Sequence, residues 1–361
     1  MAGEQHSVFV TGIGVVSPFG RGMQPLWSAL LEGRIATAPR LEAYSPPANL
    51  DPSARTALGR CSLLAADAAI QAVEDAALPF TAQTAPLLGV VFGSSGGEGE
   101  KPVPGAPSTS VARVLGIAGP VLGLEGPGSG LAAIVEAFEL IKRGAAPVVL
   151  AGGVDLLAAL SAVGGPQGRP FDARRRGSVF AEAAAAIVLE DSEVAEGRDA
   201  RVYAEVLGGG MAFSRATVMN PAPNFVDAAR AMRAALLRAE VFQGEVETIF
   251  ASANGDFEGD EIEVRAIKDL WGPNADRLTV TSIHGATGHA PAASGALSFA
   301  AAIRALEAGI VPPTTGCESP DEAFAALDIV IGAARTGRFN TAMVNDFSEA
   351  TNVSVVLRRS E

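Results

Sequence analysis

GPVLGLEGPGSG (119–130) followed by LAAIVEAFELIKRG (131–144) is the stretch on which the reading turns. It predicts a short strand, a glycine-rich turn and a helix. Pro127 falls at a first helical position, and Gly128, Ser129 and Gly130 allow close backbone packing. Leu131, Ile134, Val135, Phe138 and Ile141 recur at helical spacing with almost nothing polar in the first turns, so the helix is expected to be buried. A buried helix whose N-terminus opens into a turn stabilises an anion through its unpaired N–H groups and dipole, and so suits an activated nucleophile. No cysteine lies in this stretch, and Ser129 is its only hydroxyl.

A second copy of the unit lies downstream. Ser294-Gly295 followed by ALSFAAAIRALEAG resembles Ser129-Gly130 followed by LAAIVEAFELIKRG. Two strand–turn–buried-helix units imply a pseudo-twofold α/β fold with sheets sandwiching central helices. Further strands are expected at 8–16, 86–93, 147–153, 183–190, 201–210, 246–251, 278–283, 328–333, 341–345 and 352–359. Helices are expected at 24–32, 57–77, 225–240 and 256–270, and residues 94–110 are read as a loop. Gly12-Ile-Gly14 invites a dinucleotide fingerprint, but Ser17-Pro18 takes the third glycine's place and no helix opens there.

Bulk properties narrow the function classes. The chain has 361 residues, 48% hydrophobic and 19% charged, enough for a large core and against disorder. A net charge of −13 argues against nucleic acid and anionic membrane surfaces. Two cysteines, Cys61 and Cys317, form no disulfide framework and no metal-ligand spacing, which suits a reducing cytoplasm. The polar N-terminus running straight into a strand is read as lacking a secretory signal, and no apolar run reaches a membrane span. The expectation is a soluble cytoplasmic protein without cofactor or metal.

Several segments, in order, resemble the β-ketoacyl synthase family of the thiolase fold. VTGIGVVSPFG (10–20) is similar to its first strand and turn. GRPFDARRRGSVFAEAAAAIVLED (168–191) is similar to its RPFD segment, and TSIHGATGHAPAASGALSFAAAIRALEAGIVPPT (281–314) to its late GH…IPPT segment. The resemblance implies two pseudo-repeated βαβαβαββ halves, 1–205 and 206–361, in a layered αβαβα arrangement. In such enzymes a cysteine at the start of the pivot helix takes an acyl group from an acyl carrier protein. Two histidines then stabilise the enolate of a decarboxylating malonyl group.

This chain departs from that pattern at the reactive positions. The cysteine position falls on Pro127. The first histidine falls on Ala253 or Asn254, depending on one gap, and neither does imidazole chemistry. The second survives as His289, and His284 replaces a lysine upstream. The family's closing glycine-rich gating loop is reduced to Asn345-Asp346-Phe347-Ser348-Glu349-Ala350-Thr351, leaving Ser129, Asn345 and Phe347 as pocket or gate candidates. FASANGDFEGDEIE (250–263) resembles the family's non-condensing branch, the chain length factors of type II polyketide synthases. The resemblance therefore implies a catalytically silent subunit that forms a heterodimer with an active, cysteine-bearing ketosynthase. That subunit shapes the partner's acyl tunnel and meets the acyl carrier protein only indirectly. The alternatives are a stand-alone malonyl-thioester decarboxylase or acyltransferase using His289 and Asn254, and a purely structural scaffold. The chain is also shorter than a full ketosynthase, chiefly at 96–110 and 156–167.

Each marked residue has a plainer reading. Proline is common at a helix start, and Ser129 as nucleophile requires a base within reach. His284 and His289 lack a third ligand nearby in sequence, so no metal site is expected. The acidic run Asp256, Glu258, Asp260, Glu261 and Glu263 reads first as a solvated helix start, and Arg174-Arg175-Arg176 as an exposed charge cluster rather than a carrier-docking patch.

Overall fold

The computed structural model describes residues 7–37, 40–42, 44–95, 106–156, 167–214 and 224–360. The first half contains strands β1 (Val8–Ser17), β2 (Leu88–Ser94), β3 (Val121–Glu125), β4 (Val148–Asp155) and β5 (Ala183–Asp191). Its main helices are α1 (Arg60–Asp75), α2 (Ala106–Leu115) and α3 (Ser129–Lys142). The second half contains β6 (Ala204–Phe213), β7 (Thr248–Phe250), β8 (Thr279–Thr281), β9 (Thr341–Phe347) and β10 (Thr351–Arg359). Its main helices are α4 (Phe225–Ala239), α5 (Phe257–Trp271) and α6 (Ser294–Ala308).

The strand order is β3-β2-β4-β5-β1 in the first half and β8-β7-β9-β10-β6 in the second. The directions match as well. β2 is parallel to β3 and β4, with β5 antiparallel to β4 and β1. β7 is parallel to β8 and β9, with β10 antiparallel to β9 and β6. The halves join where β1 pairs antiparallel with β6 at Val8–Val206, Phe9–Glu205 and Val10–Ala204. A cut after residue 205 falls inside β6, whose first residue is Ala204.

Three apolar cores separate five layers. One core holds α3 and α6 between the two halves of the sheet, a second lies beneath α1 and α2, and a third lies beneath α4 and α5. This is the αβαβα arrangement of the thiolase-like fold. Small residues at matching places set how close the layers come. A methyl at Gly12 or Gly14 of β1 would overlap the carbonyls of Ala72 or Ala68 on α1. On β6, one at Gly208 or Gly210 would collide with the α4 backbone.

Two local expectations change. The segment read as a loop to residue 110 runs into α2, which begins at Ala106. Pro127 is not the first helical residue: Gly128 is the N-cap with φ 78° and Ser129 opens α3. Gly126 before it also has positive φ, 100°. Proline thus sits between two left-handed residues, a turn only glycine builds at low cost. Of the segments read as shortened, 96–110 and 156–167, residues 96–105 and 157–166 lie outside the described residues.

Candidate functional site

The turn Gly126–Gly128 projects from the end of β3, and Pro127 is exposed while Gly128 and Ser129 are buried. The Gly128 N–H donates to the Pro291 carbonyl at 2.9 Å, joining this turn to the segment that leads into α6. The next helical residue but one is Gly130, where a methyl would overlap the Ala292 carbonyl oxygen. Asp155, at the end of β4, accepts the Ala292 N–H at 2.9 Å and the Ser95 hydroxyl at 3.0 Å. Burial pushes its carboxyl up to about 6, against the pull of those two donors.

His289 lies two residues before Pro291. Its backbone is clamped, donating to the Val179 carbonyl at 2.7 Å and accepting from the Ala181 N–H at 2.9 Å. Its ring sits 5.8 Å from Phe180 and 5.7 Å from His284, centroid to centroid, and its Nδ1 has no hydrogen-bond partner. Burial, and then the neighbouring His284, hold it down to about 3, so the imidazole is neutral. His284 is buried, with Nδ1 3.1 Å from the Ser252 carbonyl and 3.0 Å from that of Ala253. Carbonyls only accept, so Nδ1 carries the proton. Burial holds its pKa below the ordinary value, with those carbonyls opposing.

The loop Ser252–Gly255 completes the cluster, and its shape comes from two buried carboxylates of α5. Glu263 accepts the N–H groups of Ser252 (3.1 Å) and Ala253 (2.9 Å). Asp260 accepts those of Asn254 (3.0 Å), Gly255 (3.2 Å) and Phe171 (2.7 Å). Burial lifts both acids to about 7, against the donors that favour their charge. The acidic run is therefore not a uniformly solvated helix start. Asp256 caps α5 through the Gly259 N–H (2.8 Å) and Glu261 pairs with Arg265, while Asp260 and Glu263 turn inward. Sequence held a signal for this, since Asp260, Glu263, Val264, Ile267 and Trp271 share one helical face and all are buried.

The fold thus ties the Pro127 turn, through Gly128 and Pro291, to the segment bearing His289, which packs on His284, which in turn meets the Ser252 and Ala253 carbonyls. No thiol is among these residues, and their imidazoles are those of His284 and His289. Ala253 offers only backbone, its N–H taken by Glu263 and its carbonyl by the Ser282 hydroxyl at 2.5 Å. The Asn254 Oδ1 accepts the Ser178 hydroxyl (2.7 Å) and the Asp256 N–H (3.0 Å), so it builds a turn. The Ser129 hydroxyl is buried without a hydrogen-bond partner and lies against Gly93 of β2.

Two other candidates reach the Ser252–Gly255 loop from β9, Asn345 through Glu263. Asn345 is fully buried, donating to Glu263 at 2.9 Å and accepting from Ser354 at 2.8 Å. Phe347 packs on the third core, its N–H bonded to the Ser252 hydroxyl at 2.9 Å. The residue between them, Asp346, is buried against Gly295 at the N-terminus of α6, and burial pushes its carboxyl up to about 7. The arginine run also divides. Arg175 is buried between the rings of Phe257 (4.5 Å) and Phe324 (4.7 Å) and pairs with Asp321 at 2.7 Å. Arg174 bonds Asp172 and Glu318, and Arg176 is exposed. Among the described residues no three His, Cys, Asp or Glu side chains converge to hold a metal, and no helix is long and apolar enough to cross a membrane.

A duplicated five-layer α/β fold with the pivot-helix turn against a His-bearing turn defines a ketosynthase-type architecture. Family models describing the β-ketoacyl synthase N-terminal and C-terminal domains match residues 47–195 and 203–318. A 3-oxoacyl-[acyl-carrier-protein] synthase 2 of Coxiella burnetii is 31% identical, over 99% of both chains. A β-ketoacyl synthase from Burkholderia phymatum superposes with a TM-score of 0.91 at 26% identity, covering 99% of this chain and 100% of that one. The ishigamide ketosynthase/chain length factor gives the same TM-score, 0.91, the same identity, 26%, and the same coverage. The chain belongs to the β-ketoacyl synthase family, whose members act in fatty acid and polyketide biosynthesis.

Proposed function

We propose that this chain is a non-condensing, chain-length-factor-like subunit that pairs with an active ketosynthase and shapes the path of its growing acyl chain. The observation that carries the reading is the turn Gly126-Pro127-Gly128. It keeps the pivot-helix geometry but presents a ring with neither nucleophile nor donor where an acyl thioester would form. The opposite wall supports the same conclusion. The Ala253–Asn254 loop is held by Asp260 and Glu263 in a defined shape without an imidazole, so an enolate oxygen at this wall has lost a donor.

A partner face is consistent with the surface. β3 ends the sheet among the described residues, and Val121 (36%) and Leu122 (37%) on it are exposed. An open, apolar strand edge leading straight into the Pro127 turn suits pairing with another sheet. The likeness to a structure titled a ketosynthase/chain length factor supports a heterodimer of this kind.

Co-expression with a cysteine-bearing ketosynthase, followed by native mass spectrometry, tests the reading. A one-to-one complex that survives dilution is expected. The chain alone is expected to leave malonyl thioester intact, because His289 has no functional partner at Asn254. Decarboxylation by the isolated chain would favour the stand-alone enzyme instead. A stable complex whose product length ignores substitutions around the Pro127 turn would leave the scaffold reading, and failure to pair would overturn the proposal.

A further inference from the structure

The outer layer of the second half, on the other side of the sheet from α3, carries an apolar feature away from the β3 edge. Leu237 (80%) and Phe242 (78%) are the most exposed large apolar side chains among the described residues. With Leu236, Val241 and Leu270 they line a cleft of about 470 Å³. Phe242 is held out on a fixed turn. Glu240 takes a left-handed φ of 54° at the end of α4. The Phe242 N–H donates to the Glu245 carboxylate at 2.8 Å, and the indole of buried Trp271 donates to the Gln243 carbonyl at 2.7 Å. A ring displayed at a fixed place beside an apolar cleft has the anatomy of an interface anchor.

The rim decides the occupant. Arg233 and Glu240 both border the cleft, and Arg233 is bound elsewhere only weakly, reaching exposed Asp269 at 3.4 Å. An acidic carrier protein or an anionic membrane fits a rim of one positive sign. A rim with one charge of each sign around an apolar centre complements itself under a twofold rotation. We propose that this cleft is a homotypic interface, with Phe242 of each copy seated on the Leu237 cleft of a second copy and Arg233 of each facing Glu240 of the other. Because it lies on α4 rather than on β3, it leaves the strand edge free, and a heterodimer becomes a two-plus-two assembly.

Light scattering over a concentration series tests this on the full chain carrying Leu122→Asp, which removes the β3 contact. That chain is expected to dimerise, and adding Leu237→Glu with Phe242→Glu weakens self-association at least about tenfold. Arg233→Glu alone weakens it, and adding Glu240→Arg restores it, a rescue that a merely structural role would not produce. All these side chains are exposed, so melting curves should be unchanged. A Leu122→Asp chain that stays monomeric to about 100 µM, or a dimer indifferent to the cleft substitutions or not rescued by the charge exchange, would overturn the proposal. Neither result bears on pairing with a ketosynthase through β3.

Discussion

The N-termini of α3 and α6 are two versions of one unit, and they have been put to different uses. At α6 everything is closed. Ala293 and Ser294 are buried, the Ser294 hydroxyl accepts the Ala290 N–H at 2.9 Å, and carboxyls from both halves flank the turn, Asp155 at Ala292 and Asp346 at Gly295. At α3 the helix start is equally buried, but the turn before it opens outward through Gly126 and Pro127. The duplicated helix–sheet packing is thus a structural device, while the preceding turn is where a family member carries or loses its chemistry. On the proposed reading, this chain has kept the first and lost the second.

If that division holds, damage to the packing should be far more costly than change at the turn. Gly130→Val and Gly295→Val each force a side chain into a neighbouring backbone or carboxyl, and each should cost about 3 kcal/mol or more, with the chain failing to accumulate as folded protein. Wild-type-like urea curves for either would show that the central layer is looser than described. Glu263→Ala should be next, leaving the Ser252 and Ala253 N–H groups and the Asn345 amide without their acceptor, for about 2–3 kcal/mol in chemical denaturation.

Acidity gives a third, smaller effect. Burial raises Asp155 to about 6 and Asp260, Glu263 and Asp346 to about 7, above the ordinary carboxylate range near 4. In the unfolded chain these groups ionise first, so folding takes up protons between about pH 4 and pH 7. Their contribution is full at low pH and falls as pH rises through the folded values. Asp172 runs the other way. Burial opposes its charge, but Arg174 and the N–H groups of Ser319, Glu318 and Arg174 outweigh it, so its stabilisation is lost in acid. The melting temperature should therefore be about 5 °C higher near pH 5.5 than at pH 8, and fall again in stronger acid. A flat profile would mean that the buried acids keep company with water.

The smallest expected effect is at the turn itself. Pro127→Cys should cost about 0.5–1 kcal/mol, through greater freedom of the unfolded chain, and yield no condensing activity alone or with carrier-bound malonyl groups. Condensation from that single change would show that Ala253 and Asn254 are not a second loss.

Much of the fold was legible because its signals are local. Valine-rich strands, helical spacing in α3 and α6, and the paired Ser-Gly starts all declare themselves within a few residues. α2 was partly lost because Pro107 and three nearby hydroxyl residues hide its period. Of the candidate positions, His284 and His289 meet each other and His284 meets the Ser252 and Ala253 carbonyls, while the Pro127 turn is tied to them through the Gly128–Pro291 bond. The supporting groups were harder. Asp260 and Glu263 look like their neighbours Asp256 and Glu261 in sequence, and only the side of α5 that meets the Ser252–Gly255 loop tells them apart. Asn345 and Phe347 were read by position as pocket or gate candidates, and their contacts with Glu263, Ser354 and Ser252 were visible only in the structure.

By itself, then, the sequence determined the duplicated layering and the absence of a thiol from the pivot turn, because periodicity and residue identity are properties of the chain alone. Which acids are buried, which arginine is sandwiched between rings, and which apolar side chains remain uncovered were decided by the tertiary structure. Burial and electrostatics depend on neighbours far along the chain, such as Phe171 for Asp260 (89 residues apart) and Asp321 for Arg175 (146 apart).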